Sequence, residues 1–210
     1  ALVDANGDHE AAAQALREKG LAKAVGRSDR DNTEGAIGLV TTTDRAAMVH
    51  LRCETDFSAK SEGFVSLVDD LASAVLEEGE GAPAARAAAL DDLRLSIKEN
   101  VEVGRVALIE AATGNLIDAY LHRQDGRGVN GVIVETSGVD QETVHQIALH
   151  IAFAKPTALS RDEVSPDLVE VERAALLDIT KAEGKPEQAW DKIVEGRLSA
   201  WFRETVLLEQ

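Results

Sequence analysis

At 210 residues, 44% hydrophobic and 29% charged, the chain is long enough to bury a sizeable core in one or two soluble domains. Basic residues number 22 against 38 acidic ones, a net charge of −16, which excludes the dense Lys/Arg surface that direct nucleic-acid binding or an anionic membrane requires. The single cysteine, Cys53, has no internal disulfide partner and no run approaches the ~20 apolar residues of a membrane span, so an intracellular, cytoplasmic protein is expected.

In chain order, residues 8–19 read as a helix, capped by Asn6 or Asp8 and stopped by Gly20. Its apolar face holds only Ala12, Ala13 and Leu16. It is therefore expected to be one member of a small helical bundle, in a fragment that begins inside helical sequence at Ala1. Residues 25–35 are polar with two glycines and read as a linker. Two strand-like runs, residues 36–42 and 46–53, flank the turn residues Thr41-Thr42-Thr43-Asp44 and predict a hairpin. From Ser58 the apolar period becomes helical, through Phe64, Val65, Leu67, Val68, Leu71, Ala72 and Val75. The segment 77–83 breaks that helix, and a second follows with Leu90, Leu93 and Ile97 on one face.

Residues 101–111 and 116–122 read as strands joined at Thr113-Gly114-Asn115, residues 129–135 as a third strand, and residues 143–154 as a helix. Glu54-Thr55-Asp56 and Glu135-Thr136-Ser137 each close a strand and precede an amphipathic helix, so two versions of one strand-plus-helix unit are expected. The last third reads as a helical hairpin. Ser165-Pro166 starts its first helix, with a heptad-like seam of Leu168, Val171, Ala175 and Ile179, and Gly184-Lys185-Pro186 turns the chain. Trp190, Ile193, Val194, Leu198 and Trp201 line the return helix, as core or as a partner surface, and residues 205–208 are expected to begin a strand.

Few residues offer covalent chemistry. Gly126-Arg-Gly128-Val-Asn-Gly131 matches G-x-G-x-x-G, but a strand follows it where a dinucleotide fold needs a helix, so a hairpin turn fits better. His145 and His150 are not spaced to share a metal on one helical face, no G-x-S-x-G elbow is present, and the paired carboxylates lie among polar neighbours. No cofactor and no covalent catalysis are expected. The most informative segment is residues 52–64. As a plain strand–helix junction it has Asp56 or Ser58 as N-cap. With Ser58 as cap, a hydrophobic staple from Phe57 would need an apolar partner at Glu62 and fails. Phe57 is then a large apolar residue at an exposed corner, a reasonable interaction anchor.

Glu54-Thr55-Asp56-Phe57-Ser58-Ala59-Lys60 resembles the signature of the elongation factor Ts family, T-D-F-V-A-K-N after a strand ending in C-E. Glu18-Lys19-Gly20-Leu21 resembles the end of that family's ubiquitin-associated-like N-terminal domain. Ala119-Tyr120-Leu121-His122-Arg123, the segment from Gln146 to Ala152, Ala182-Glu183-Gly184-Lys185-Pro186 and Ile193-Val194-Glu195-Gly196-Arg197 resemble its core. Ser58 stands where the signature has valine and Ser61 where it has asparagine.

The resemblance implies a partner, elongation factor Tu. In the family an Asp-Phe pair is pressed into that partner near its magnesium site, the phosphate-binding loop is disturbed, and GDP leaves. Carried over, the partner-binding residues are Thr55, Asp56, Phe57 as wedge and Ser58, with Gln146 and His150 gripping another domain of the partner. The implied fold is α+β: a remnant of the N-terminal helical domain at 1–24, a linker at 25–35, related antiparallel sheet-plus-helix subdomains at 36–114 and 115–210, and a coiled-coil-like hairpin at 165–203. Self-association through that hairpin is left open. The rival readings are a passive adaptor without exchange activity and, on the glycines alone, a dinucleotide oxidoreductase.

Overall fold

Alternation of small and branched side chains folds Glu34–Thr41 (β1) and Arg45–Cys53 (β2) into the expected hairpin, its turn closed by the Arg45 amide donating to Thr42 Oγ1 at 3.0 Å. These and all other residues of the 210 are described by a computed structural model. The inner face of the hairpin, Ala36, Ala47, Val49, Leu51 and Cys53, is buried beneath Glu62–Glu78 (α3), which presents Phe64, Val68, Leu71, Ala72 and Val75 at helical spacing. Each fully buried Leu, Val or Phe contributes about 1.5–3 kcal/mol, so this layer is the principal core. The helix lies unusually close to the sheet at Gly38, where a Cβ would collide with the Val68 carbonyl.

A short helix, Asp56–Ala59 (α2), links β2 to α3; Ala82–Ala85 (α4) and Ala87–Ile97 (α5) follow. Leu90 and Leu93 of α5 are buried, as their spacing predicts. The remaining strands are Glu102–Glu110 (β3), Leu116–Gln124 (β4) and Arg127–Thr136 (β5), all in one antiparallel sheet of order β3-β2-β1-β5-β4.

That order departs from the sequence reading. The strands β3 and β4 are consecutive but lie at opposite edges, because β3 pairs with β2 and β4 with β5. The expected boundary between residues 114 and 115 therefore falls within a continuous sheet. Its two parts are joined where Ile37 of β1 opposes Gly128 of β5, and Arg127 reinforces the seam by donating to the Gly35 carbonyl (2.6 Å) and to Glu34 (3.1 Å). By contact the chain divides instead into units Ala1–Ala148 and Leu149–Gln210, with Gln141–Ala154 (α6) running through the division.

At the start of the chain, Asp8 caps His9–Val25 (α1) by accepting from the Glu10 and Ala11 amides. The helix does not stop at Gly20, because that glycine serves packing. It faces Leu95 of α5 so closely that a Cβ would strike the Leu95 side chain. Arg17 pairs with Asp92 beside it, giving α1 a partner helix within the chain. The stretch expected as linker is also held in place, since Asn100 Nδ2 donates to the Ser28 (3.2 Å) and Arg30 (2.8 Å) carbonyls.

The second unit contains the expected helical hairpin, Pro166–Ala182 (α7) and Trp190–Thr205 (α8). The seam is displaced from its predicted line. Leu168, Val171 and Ile179 are exposed, whereas Val169, Leu176 and Thr180, one position further on, face inwards. A one-residue step rotates a side chain by roughly 100°, enough to exchange the faces. Trp190 and Trp201 are half-buried, and the buried face of α8 is Val194, Leu198 and Phe202. The strand expected at 205–208 is reduced to one parallel bridge, Ala158 to Val206, followed by a 3-10 turn. No helix is long and apolar enough to cross a membrane.

The sheet seam yields a test. Replacing Gly128 with Ala puts a Cβ against the Ile37 backbone carbonyl, which cannot swing away as a side chain would. Gly128→Ala is expected to cost about 1–3 kcal/mol in urea unfolding; an unchanged midpoint would show that the β1–β5 seam is looser than described.

Candidate functional site

The corner between β2 and α3 is built from residues 53–61. Cys53 ends β2 fully buried, with its thiol donating to the Thr55 carbonyl at 3.2 Å. Burial, followed by the negative charge of Glu99, pushes that thiol up to about 11, so at neutral pH it is an unreactive core group. Thr55 is the true N-cap of α2: its Oγ1 accepts from the Ser58 amide at 3.3 Å. Neither Asp56 nor Ser58, the caps expected from sequence, fills that position, because the helix already begins at Asp56, before either reading placed its first turn.

With the chain so folded, Phe57 falls on the outer side of a single turn and is 83% exposed. Phe64, one element later, is 0% exposed. Asp56 accepts from Lys60 Nζ at 2.8 Å, and Lys60 also reaches Asp125 at 3.1 Å. The Lys60 hydrogen bond holds the Asp56 carboxyl below the usual range. Ser58 and Ser61 turn inwards: Ser58 Oγ donates to Glu99 Oε1 at 2.6 Å, and Ser61 Oγ to the Ser58 carbonyl at 2.7 Å.

Glu99 is the residue sequence reasoning missed. Its carboxylate accepts from the Glu54 amide (3.0 Å), the Thr55 amide (3.1 Å), Thr55 Oγ1 (2.7 Å) and Ser58 Oγ. Burial alone would raise its pKa, but the donors from Ser58, Thr55 and the two amides outweigh it and hold the carboxyl below the ordinary glutamate range. It is thus ionised at neutral pH. Glu99 lies 41 to 45 residues from its partners in the corner, and no local pattern in the sequence marks it.

Gln146 and His150 belong to a different element, α6, where they lie one turn apart and exposed. Each has a partner of its own, Gln146 donating to Glu142 at 3.0 Å and His150 pairing with Gln210 at 2.8 Å. Phe153, at the next step along that helix face, is 89% exposed and was not anticipated. Its signal was legible: Val144, Ala148 and Ala152 form the buried line, and residue 153 falls off it. His145 pairs with Asp118 at 3.0 Å, away from the face of His150. In the Gly126–Gly131 segment, Asp125 and Gly126 both have positive φ (52° and 81°) and make the two-residue turn between β4 and β5. The glycines are a hairpin.

A family model described as Elongation factor TS matches residues 54–210, opening within this corner. Elongation factor Ts of Clavibacter michiganensis subsp. michiganensis is 40% identical, the alignment covering 100% of this chain and 80% of that protein. That of Mycobacterium ulcerans is 43% identical (100% and 79%), and that of Deinococcus radiodurans 38% (100% and 81%). The chain belongs to the elongation factor Ts family. Its process is therefore translation elongation, and the segment that resembles the family signature is the exposed, hydrogen-bonded corner just described.

The geometry separates an exposed ring from a core ring. Phe57→Ala is expected to change unfolding free energy by less than about 1 kcal/mol, and Phe64→Ala to cost about 3–5 kcal/mol, measured side by side in urea. A loss at Phe57 equal to that at Phe64 would show that the ring is packed.

Proposed function

We propose that this elongation factor Ts family member promotes release of GDP from elongation factor Tu, acting by binding and not by covalent chemistry. The observation that carries the reading is the 83% exposure of Phe57 on a turn whose backbone is tied down. A large apolar side chain held in water on an ordered support contributes little to its own fold and is available to a partner. Phe57 is the wedge, and Asp56, steadied by Lys60, the polar positioner. Thr55 and Ser58 shape the turn. Gln146 and His150 provide a second contact, with another domain of the partner than the nucleotide-binding domain that Phe57 meets. Helix α1 is read as what remains of a ubiquitin-associated-like domain, and the setting as the cytoplasm.

Exchange follows from linkage. A protein that binds the nucleotide-free GTPase more tightly than the GDP-bound form must weaken GDP by the same factor. Differential affinity of 3 kcal/mol corresponds to more than a hundredfold, at about 1.4 kcal/mol per decade. A passive adaptor binds both forms equally and shifts nothing.

Release of a fluorescent GDP analogue from elongation factor Tu decides between them. Substoichiometric amounts of this chain are expected to accelerate release of the whole population, each molecule turning over many times. Tight binding with an unchanged release rate would establish the adaptor instead.

A further inference from the structure

The exposed ring of Phe57 has no packing of its own, so its direction is set by the backbone beneath it. That backbone is held from residues 98–100. Lys98 ends α5 in the left-handed conformation, φ 60°, which non-glycine residues rarely adopt. The turn it makes aims the next two residues back at the corner. The Asn100 amide donates to Glu54 Oε1 at 2.7 Å, while the Glu54 amide donates to Glu99 Oε2 at 3.0 Å, a reciprocal clasp.

Both Glu99 oxygens are fully used. Oε2 takes the two backbone amides of Glu54 and Thr55, and Oε1 takes the hydroxyls of Thr55 and Ser58. Only an ionised carboxylate accepts on both sides; a glutamine accepts on one side alone, and where its nitrogen faces the two hydroxyls they must turn to accept from it. Ser58 and Ser61, the two positions at which the chain departs from the signature it resembles, join the same network. Ser58 supplies one hydroxyl to Glu99, and Ser61 binds the Ser58 carbonyl.

We infer that Glu99 is a positioning residue for Phe57: its carboxylate locks residues 54–58 into one conformation, so that the ring meets the GTPase already oriented. The inference rests on the exchange reading for its consequence, because a loop ordered before binding loses less freedom on binding. Glu99 itself touches no partner in this scheme. It acts through the turn.

A double-mutant cycle tests it, with wild type, Glu99→Gln, Phe57→Ala and the double variant compared in GDP release from elongation factor Tu. Glu99→Gln is expected to raise the half-saturating concentration about tenfold when Phe57 is present, and less than about twofold in the Phe57→Ala background. Equal effects in both backgrounds would overturn a positioning role, since general loosening of the fold does not depend on the ring. Amide hydrogen exchange on the free chain gives a second readout. Protection at Glu54 and Thr55 is expected to fall about tenfold or more in Glu99→Ala, which leaves both amides without their acceptor, with the buried strands unaltered; unchanged protection at both amides overturns the lock. Should Glu99→Gln lose its fold, Ser58→Ala removes one of the hydroxyl donors to Glu99 and is expected to raise the half-saturating concentration about twofold to fivefold; no change would count against the lock. If wild type itself fails to accelerate release, the exchange reading falls, and amide exchange at Glu54 and Thr55 alone decides the lock.

Discussion

The close seating of α3 on the β1–β2 hairpin is the constraint on which the first unit depends. Gly38 lets the Val68 carbonyl approach the sheet, and Ala36, Ala47 and Ala72 keep the remaining interface thin. Phe64 fills the available space, fully buried. Phe57, only seven residues earlier, lies on the single turn of α2, which carries it outwards.

Outward direction alone would give a loosely held aromatic. What converts it into an ordered one is polar: Glu99 gathers four donors from residues 54–58, and Lys60 bridges Asp56 to Asp125 at the tip of the β4–β5 turn. The surface ion pairs contribute little on their own, typically under about 1 kcal/mol each. The partly buried carboxylate is different, since hydrogen bonds to a charged group are roughly twice as strong as neutral ones. The continuous sheet matters here too. Asp125 can reach Lys60 because the seam at Ile37 and Gly128 brings the β4–β5 hairpin alongside β1.

Much of this was legible in the residues. Helical period from Phe64 to Val75, the hairpin around Thr42, a hairpin turn in place of a dinucleotide loop at the glycines that begin with Gly126, and the two-helix C-terminus all follow from local pattern and turn chemistry, and all are present. The ring of Phe57 is exposed as expected, although the staple argument that pointed to it took Ser58 as the cap and the cap is Thr55. What could not be read was non-local. Sheet order depends on which edges meet, and nothing near residues 113–115 distinguishes a β3–β4 hairpin from strands at opposite edges. Gly20 reads as a helix stop until Leu95 is known to lie against it. The α7 seam was misplaced by one residue because Leu168 and Val169, and Ile179 and Thr180, offer adjacent candidates whose choice is made by α8. Glu99 belongs to the same class, a carboxylate whose purpose exists only once the corner is folded.

The claim at the centre is that Phe57 drives exchange from an ordered, exposed position. The most direct measurement is the rate of fluorescent GDP release from elongation factor Tu at matched concentrations of wild type and Phe57→Ala, after both are shown to melt at similar temperatures. Loss of a hot-spot aromatic is worth on the order of 2–4 kcal/mol in a complex, so release is expected to slow about tenfold or more. A folded Phe57→Ala variant that releases GDP at the wild-type rate would contradict the wedge.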